Sequence, residues 1–231
     1  MKRGISPVRG FTLVELMVAV ALGLFLLIGL VSLLVSTVNS RNELDKTTRQ
    51  IDNGRYAMKV LSENIQLAGY VGTSASTAFS TVAPVGCPAN LADLGYASQT
   101  SPGTSTVPYP VYRLDVAPSC IDDVVPGTAM LVVTRVSTTP VLVASAVSSE
   151  TYLQVSTCSS DTLPFVVASG ASASSFALMQ KDCSSSKLAE VRKIVQQLYF
   201  LSSCNDCGSD TTPTLKVAEL KDGEMKVSAL V

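Results

Sequence analysis

Arg9-Gly10-Phe11-Thr12-Leu13-Val14-Glu15-Leu16 opens the most apolar part of the chain and carries a single acid inside it. From Leu16 to Val35 there are 20 residues without a charge, and Ser32 is the only hydroxyl among them. At 1.5 Å per residue a helix of that length spans roughly 30 Å, the thickness of a bilayer's hydrocarbon core. The spacing therefore predicts a transmembrane helix over 11–35. Glu15 lies just inside its start, where an ionised carboxylate is costly and calls for a partner. The plainer alternative is a Glu lying at the level of the lipid headgroups.

Working outward, residues 1–10 hold Lys2, Arg3 and Arg9 and no acid. A basic flank stays on the cytoplasmic side, so the chain beyond Val35 is expected on the far side of the inner membrane, in a single-pass arrangement with a periplasmic C-terminal domain. A cleaved secretory peptide has a shorter apolar core followed by a small-residue cleavage site. Here the core is too long, and the Ala/Ser/Thr-rich stretch comes only after Glu43 and Asp45.

Gly10-Phe11-Thr12-Leu13-Val14-Glu15 resembles the class III signal of type IV pilins and pseudopilins. The resemblance implies a leader, 1–10, removed by a prepilin peptidase between Gly10 and Phe11, and N-methylation of Phe11. It also implies an assembly role for Glu15. The chemistry of the residues agrees: cleavage creates an ammonium at Phe11, one helical turn from Glu15. Glu15 is then suited to offset a neighbouring subunit's ammonium within a bundle of apolar helices, where either charge alone is penalised.

With 231 residues, the chain has room for one anchor and one modest globular domain. Without residues 1–10 it carries 14 basic and 18 acidic side chains, a net −4, so no nucleic-acid partner is expected. There is no histidine, hence no Ser/His/Asp set; no Gly-rich phosphate loop appears, and the carboxylates are scattered. The expectation is a protein that is not an enzyme, without catalytic residues, metal or cofactor.

The six cysteines, Cys87, Cys120, Cys158, Cys183, Cys204 and Cys207, all lie beyond the apolar run, on the side where disulfides persist. Spacing alone does not choose their pairing. Sequential pairing is preferred: Cys87–Cys120, Cys158–Cys183 and Cys204–Cys207. Cys204-Asn205-Asp206-Cys207 also has the spacing of a redox motif and of half a zinc site. It lies in a Ser/Asn/Asp/Gly turn rather than at a helix start, and no histidine is present to complete a zinc site, so a turn-stapling disulfide is expected.

Beyond the apolar run, Leu44, Ile51, Met58 and Ile65 recur every seven residues, with Leu61 and Ala68 as a second line. They predict an amphipathic helix over 36–72 that continues into the head and ends near Leu67, at the glycines of Leu67-Ala68-Gly69-Tyr70-Val71-Gly72. Pro is absent from Val8 to Ala83, so one helix of roughly 85 Å is permitted. Residues 73–106 read as a long loop. Strands are expected over Val111–Val116, Ala129–Val136, Val141–Val147, Tyr152–Ser156, Phe165–Ala168, Phe176–Gln180 and Val191–Leu201. A Lys221-Asp222-Gly223-Glu224 turn should join Leu215–Leu220 to Met225–Val231. The fold class expected is α+β: a long N-terminal helix, half transmembrane and half amphipathic, packed on a mainly antiparallel head over 73–231, as in pilins. The chain stops on an alternating strand with no polar tail, which suggests C-terminal truncation or, alternatively, a terminal strand completing the sheet.

Asn53-Gly54-Arg55-Tyr56-Ala57 and Ala68-Gly69-Tyr70-Val71-Gly72 are more narrowly similar to PilW-type minor pilins. The similarity is confined mainly to the first third of the chain; farther on only Asp182-Cys183 and Leu198-Tyr199-Phe200 resemble that family. It implies a minor pilin that helps prime a type IV pilus, near its tip, with the major pilin, other minor pilins, prepilin peptidase and a tip adhesin as partners. The alternative is a pseudopilin of a type II secretion system, for which a calcium site in the head would speak. Asp122 and Asp123 are the only adjacent acids, too few for a cage of oxygens.

Overall fold

The computed structural model describes residues 10–74, 79–101 and 103–231; the expected leader up to residue 9, with its three basic side chains, lies outside the described residues. The chain divides into two units, Met1–Gly54 and Arg55–Val231. One helix, α1, runs Leu13–Gln66. In the first unit its apolar side chains are exposed, from Leu13 through Val35, and an 18-residue window of mean hydropathy 2.9 makes it long and apolar enough to cross a membrane. A bilayer supplies the solvent such a surface requires.

The helix ends where the sequence supplies glycine. Gly69 has φ 75°, a left-handed conformation suited to a helix stop, and a Cβ there would meet Pro110 at 2.7 Å. Its amide donates to the Thr134 carbonyl at 2.8 Å. Residues 67–72 are therefore turn and extended chain, not a continuation of the helix. The seven-residue stripe also needs correcting. Leu44, Ile51, Met58 and Ile65 are all exposed. In the second unit the inward positions are Ala57, Leu61, Asn64 and Ala68, at spacings of four, three and four; Leu61 and Ala68 pack on Val133, Tyr199 and Val217. Leu61 and Ala68 are the expected second line; a small residue at 57 and a polar one at 64 conceal the rest of this face.

The head is built on β1 (Ser80–Val82), β2 (Thr106–Pro108), β3 (Val111–Leu114), β4 (Met130–Val136), β5 (Thr151–Val155), β6 (Phe165–Ser169), β7 (Val191–Ser202), β8 (Thr214–Lys221) and β9 (Glu224–Ala229). β1 and β2 form a short parallel pair; the other seven make one antiparallel sheet. β7 is its spine. It pairs with β4 from Leu131↔Tyr199 to Val136↔Ile194, while its other edge takes β5 at Val191–Lys193 and β8 at Gln197–Ser202. The architecture is α+β: a long N-terminal apolar helix followed by a mostly antiparallel β domain.

The two faces of β7 follow the period of two. Leu198 and Phe200 join Met130, Val132, Ile121 and Ala218 on one face; Tyr199, with Val133 and Val217, receives α1 on the other. Ile194 belongs to a core with Leu94, Tyr96, Val136, Leu153, Val155, Phe165 and Leu220. Leu94 and Tyr96 come from the stretch expected to be a loop over 73–106. That stretch instead holds β1 and a 3-10 turn, Leu91–Leu94, closed by a capping box: the Asn90 side chain accepts from the Ala92 and Asp93 amides and the Asp93 carboxylate from the Asn90 amide.

Two expected strands are absent. Val141–Val147 forms a single bridge, Val141↔Val191, followed by a 3-10 turn at Val143–Ser145, because the Ser145 and Ala146 amides donate to the Leu142 and Val143 carbonyls and the Val147 amide to the Tyr152 hydroxyl, rather than to a ladder. Phe176–Gln180 keeps one bridge, Met179↔Leu188, because the Leu178 amide donates to the Gln154 side chain. The β8–β9 hairpin turns on Asp222 and Gly223, both at positive φ, the geometry of a two-residue loop. β9 ends at Ala229, short of the expected Val231, and of its alternating residues Met225 is half-buried while Val227 is exposed.

Candidate functional site

At the head of α1 the side chains of Thr12 and Glu15 close a capping box. The Thr12 hydroxyl accepts from the Glu15 amide at 3.3 Å, and the Glu15 carboxylate accepts from the Thr12 amide at 3.4 Å. Thr12 is the residue just before the helix and Glu15 its third position, the spacing that satisfies two orphan amides reciprocally. The carboxylate also complements the positive end of the helix dipole. Gly10 and Phe11 precede the helix, which begins at Leu13 rather than at the expected Phe11, and Gly10, Phe11 and Glu15 are all exposed. A Cβ at Gly10 would meet nothing within 4 Å, so the chain's own packing does not require glycine there.

Thr12 is the residue that the reading of the sequence passed over. Its signal was present: Thr12-x-x-Glu15 before an apolar run is a capping-box pattern. Cutting after Gly10 leaves the Thr12 amide intact and places a new ammonium one residue before it. What the structure presents here is one carboxylate at the start of an exposed apolar helix.

In the head the cysteines are joined as Cys87–Cys120, Cys158–Cys183 and Cys204–Cys207, with Cα–Cα distances of 6.0, 5.1 and 5.0 Å. The first pins the stretch after β1 to Ile121 and its core. The second ties the β5–β6 connection to the irregular segment before β7. There Asp182 pairs with Lys187 at 2.7 Å, and this hydrogen bond holds the carboxyl below the ordinary carboxylate range and the ammonium above its own. The third closes the turn after β7, where the Asp210 carboxylate accepts from the amides of Asp206 (2.8 Å), Thr212 (2.8 Å) and Asn205 (3.0 Å). Those three donors lower its pKa.

Among the described residues, Asp123, Cys204 and Cys207 bring one oxygen and two sulfurs within 4.8 Å of one another. With both sulfurs in a disulfide, the group offers a metal one carboxylate and nothing more. A cleft of about 350 Å³ lies between Val71–Thr73 and Leu153, Val155 and Arg192. The Arg192 guanidinium donates to the carbonyls of Ser137 and Thr138 at 3.1 and 2.6 Å and lies over the Tyr70 ring, so this cation is engaged in holding the fold.

Residues 5–31 match the sequence model of the prokaryotic N-terminal methylation motif. No curated protein and no solved structure matches the chain. The motif implies processing by prepilin peptidase and association with pilus components, and with the apolar helix it fits a membrane anchor. The chain is accordingly type IV pilin-like or pseudopilin-like at its N-terminus, and proteins with this motif are structural.

Proposed function

We propose that the chain is a minor pilin of the PilW type, cut between Gly10 and Phe11, methylated at Phe11, and working in the priming of a type IV pilus near its tip. It is held in the inner membrane through residues 11–35, with residues 73–231 as a periplasmic head. The observation that carries this reading is the methylation motif over residues 5–31 on a helix whose apolar surface stays exposed from Leu13 to Val35. Three disulfides in the head fit an oxidising compartment. A head of this size, with a long Ser/Thr-rich stretch after Gly72, suits a cap better than a tightly repeated shaft, where one compact surface must recur in every subunit. Its partners are then the major pilin, other minor pilins and a tip adhesin.

Mass spectrometry of membrane-extracted protein from peptidase-positive cells tests the processing. A methylated Phe11 N-terminus is expected, and an intact Met1 sinks the reading. Gly10→Val should abolish the cut, since the restriction to glycine must come from the peptidase and not from this chain. Quantifying subunits in sheared filaments tests the minor role: abundance comparable to the main pilin would overturn it. Co-purification with secretion-system components in place of pilus components would favour the pseudopilin alternative.

A further inference from the structure

The three disulfides are not equivalent. Of the six cysteines, all described, Cys207 alone is exposed; Cys204 and Cys158 are buried, and Cys87, Cys120 and Cys183 are half-buried. Cys204–Cys207 also spans only three residues, against 33 and 25 for the others, so chain entropy protects it least. The Lys216 ammonium lies 3.6 Å from the Cys207 sulfur, where it attracts an incoming thiolate. The Ser203 hydroxyl lies 3.6 Å from the Cys204 sulfur, placed to donate to a thiolate leaving there, while the Ser202 hydroxyl lies near both sulfurs, 3.7 Å from Cys204 and 3.9 Å from Cys207. The Asp123 carboxylate, within 4.8 Å of both sulfurs, opposes the approach of an anion. Asp210 grips the turn through three amides, a hold that does not depend on the bridge.

We propose that Cys204–Cys207 is a thiol–disulfide exchange site, opened by dithiol reductants at Cys207, and that the other two bridges are structural. One thiolate of the dithiol attacks the Cys207 sulfur. The bond to Cys204 breaks, and its electron pair leaves on the Cys204 sulfur, which takes a proton from water. The second thiolate of the reductant then attacks its own sulfur in the mixed disulfide. Cys207 is released as a thiolate, and the reductant leaves as a cyclic disulfide, having given two electrons. Exposure makes such a bridge the labile one.

The test uses the detergent-solubilised full chain, limiting dithiothreitol, N-ethylmaleimide trapping and peptide mass mapping. Cys204 and Cys207 should be labelled at least about tenfold ahead of the other four, with the far-ultraviolet circular dichroism unchanged. Equal or earlier labelling of Cys87–Cys120 or Cys158–Cys183 overturns the proposal. Lys216→Gln should slow the opening by up to about fivefold, the reach of an exposed charge, and Asp123→Asn, tolerated at its φ of 58°, should speed it. Single-cysteine arms fix the direction of attack. With oxidised glutathione, Cys204→Ser, which frees Cys207, should form the adduct faster than Cys207→Ser, which frees the buried Cys204; the reverse order overturns the assignment of Cys207 as the point of entry.

Discussion

Thr12 and Glu15 hydrogen-bond each other's backbone amides across the first turn of α1, at 3.3 and 3.4 Å, so the acid in the apolar segment serves its own helix. A role for Glu15 in assembly must therefore be separated from a role in capping. Glutamine keeps a carbonyl that can accept from the Thr12 amide and removes the charge; alanine removes both. If the charge pairs with a neighbouring ammonium, Glu15→Gln and Glu15→Ala should both be cut and inserted, and both should assemble poorly. If capping alone matters, Gln should assemble normally while Ala loses about 1 kcal/mol of helix stability. Immunoblots of cell and sheared-filament fractions distinguish the two outcomes.

The last turns of α1 are fixed to β4 by a polar contact. The half-buried Arg135 donates to the Asn64 side-chain oxygen from Nε at 3.2 Å and Nη2 at 3.1 Å. A hydrogen bond to a charged group contributes about 1.5–3 kcal/mol. Asn64→Ala should therefore destabilise the head by about that much, and Asn64→Asp, which supplies a carboxylate, should recover most of it. Denaturant midpoints of the detergent-solubilised chain check both. In a double-mutant cycle, a coupling with Arg135→Met below about 0.5 kcal/mol would show that this contact carries no weight.

This contact also marks the limit of what the sequence disclosed. Strands β4, β5, β6 and β7 were legible because each is rich in β-branched and aromatic residues, and β8 because Asp222-Gly223 announced its hairpin. Only half of the inward face of α1 was legible: Leu61 and Ala68 formed the expected second line, whereas Ala57 and Asn64 give no hydrophobic signal, and the heptad Leu44, Ile51, Met58 and Ile65 is exposed. The core role of Leu94 and Tyr96 was hidden inside a Ser/Ala/Gly-rich stretch, since a capping box and a tight turn, not periodicity, bring them inward. At the N-terminus the charged and apolar pattern was plain, and the Thr12 cap was readable but unread.

The pH dependence of the head has a sign at each end. The backbone amides of Asp206, Thr212 and Asn205 hold Asp210 below its unfolded value of about 3.9. The stabilisation is fully present above that value and is lost as pH falls through the lower folded pKa. Burial pushes Tyr199 up to about 12, with Glu219 adding and Arg135 opposing. Its contribution is complete below the unfolded value of about 10 and is lost as pH climbs toward 12. Urea midpoints against pH should fall at both ends. Asp210→Asn should flatten the acid limb and Tyr199→Phe the alkaline one; unchanged limbs in these variants would assign the dependence to other groups.

Gln154 decides why the segment between β6 and β7 is not a strand. It is fully buried in β5, its amide donates to the carbonyls of Ala189 at 2.7 Å and Leu178 at 3.3 Å, and its oxygen accepts from the Leu178 amide at 3.0 Å. One side chain thus takes the place of a ladder, satisfying buried backbone groups on two separate stretches. Gln154→Leu keeps the volume and strips the Leu178 amide and the Ala189 carbonyl of these partners. Each buried group left unmatched costs about 1–3 kcal/mol, so with two of them the variant should lose about 2–6 kcal/mol. Gln180→Ala is the matched control. Gln180 reaches the neighbouring Leu188 carbonyl at 3.1 Å, but at an exposed site where water can substitute, and the loss should stay within about 0.5 kcal/mol. Hydrogen exchange should show the Leu178 amide deprotected in the first variant and protected in the second. A Gln154→Leu protein as stable as the wild type, with Leu178 still protected, would mean that the segment holds its conformation through Phe176, the Cys158–Cys183 bridge and the Met179 amide's hydrogen bond to Asp161 instead.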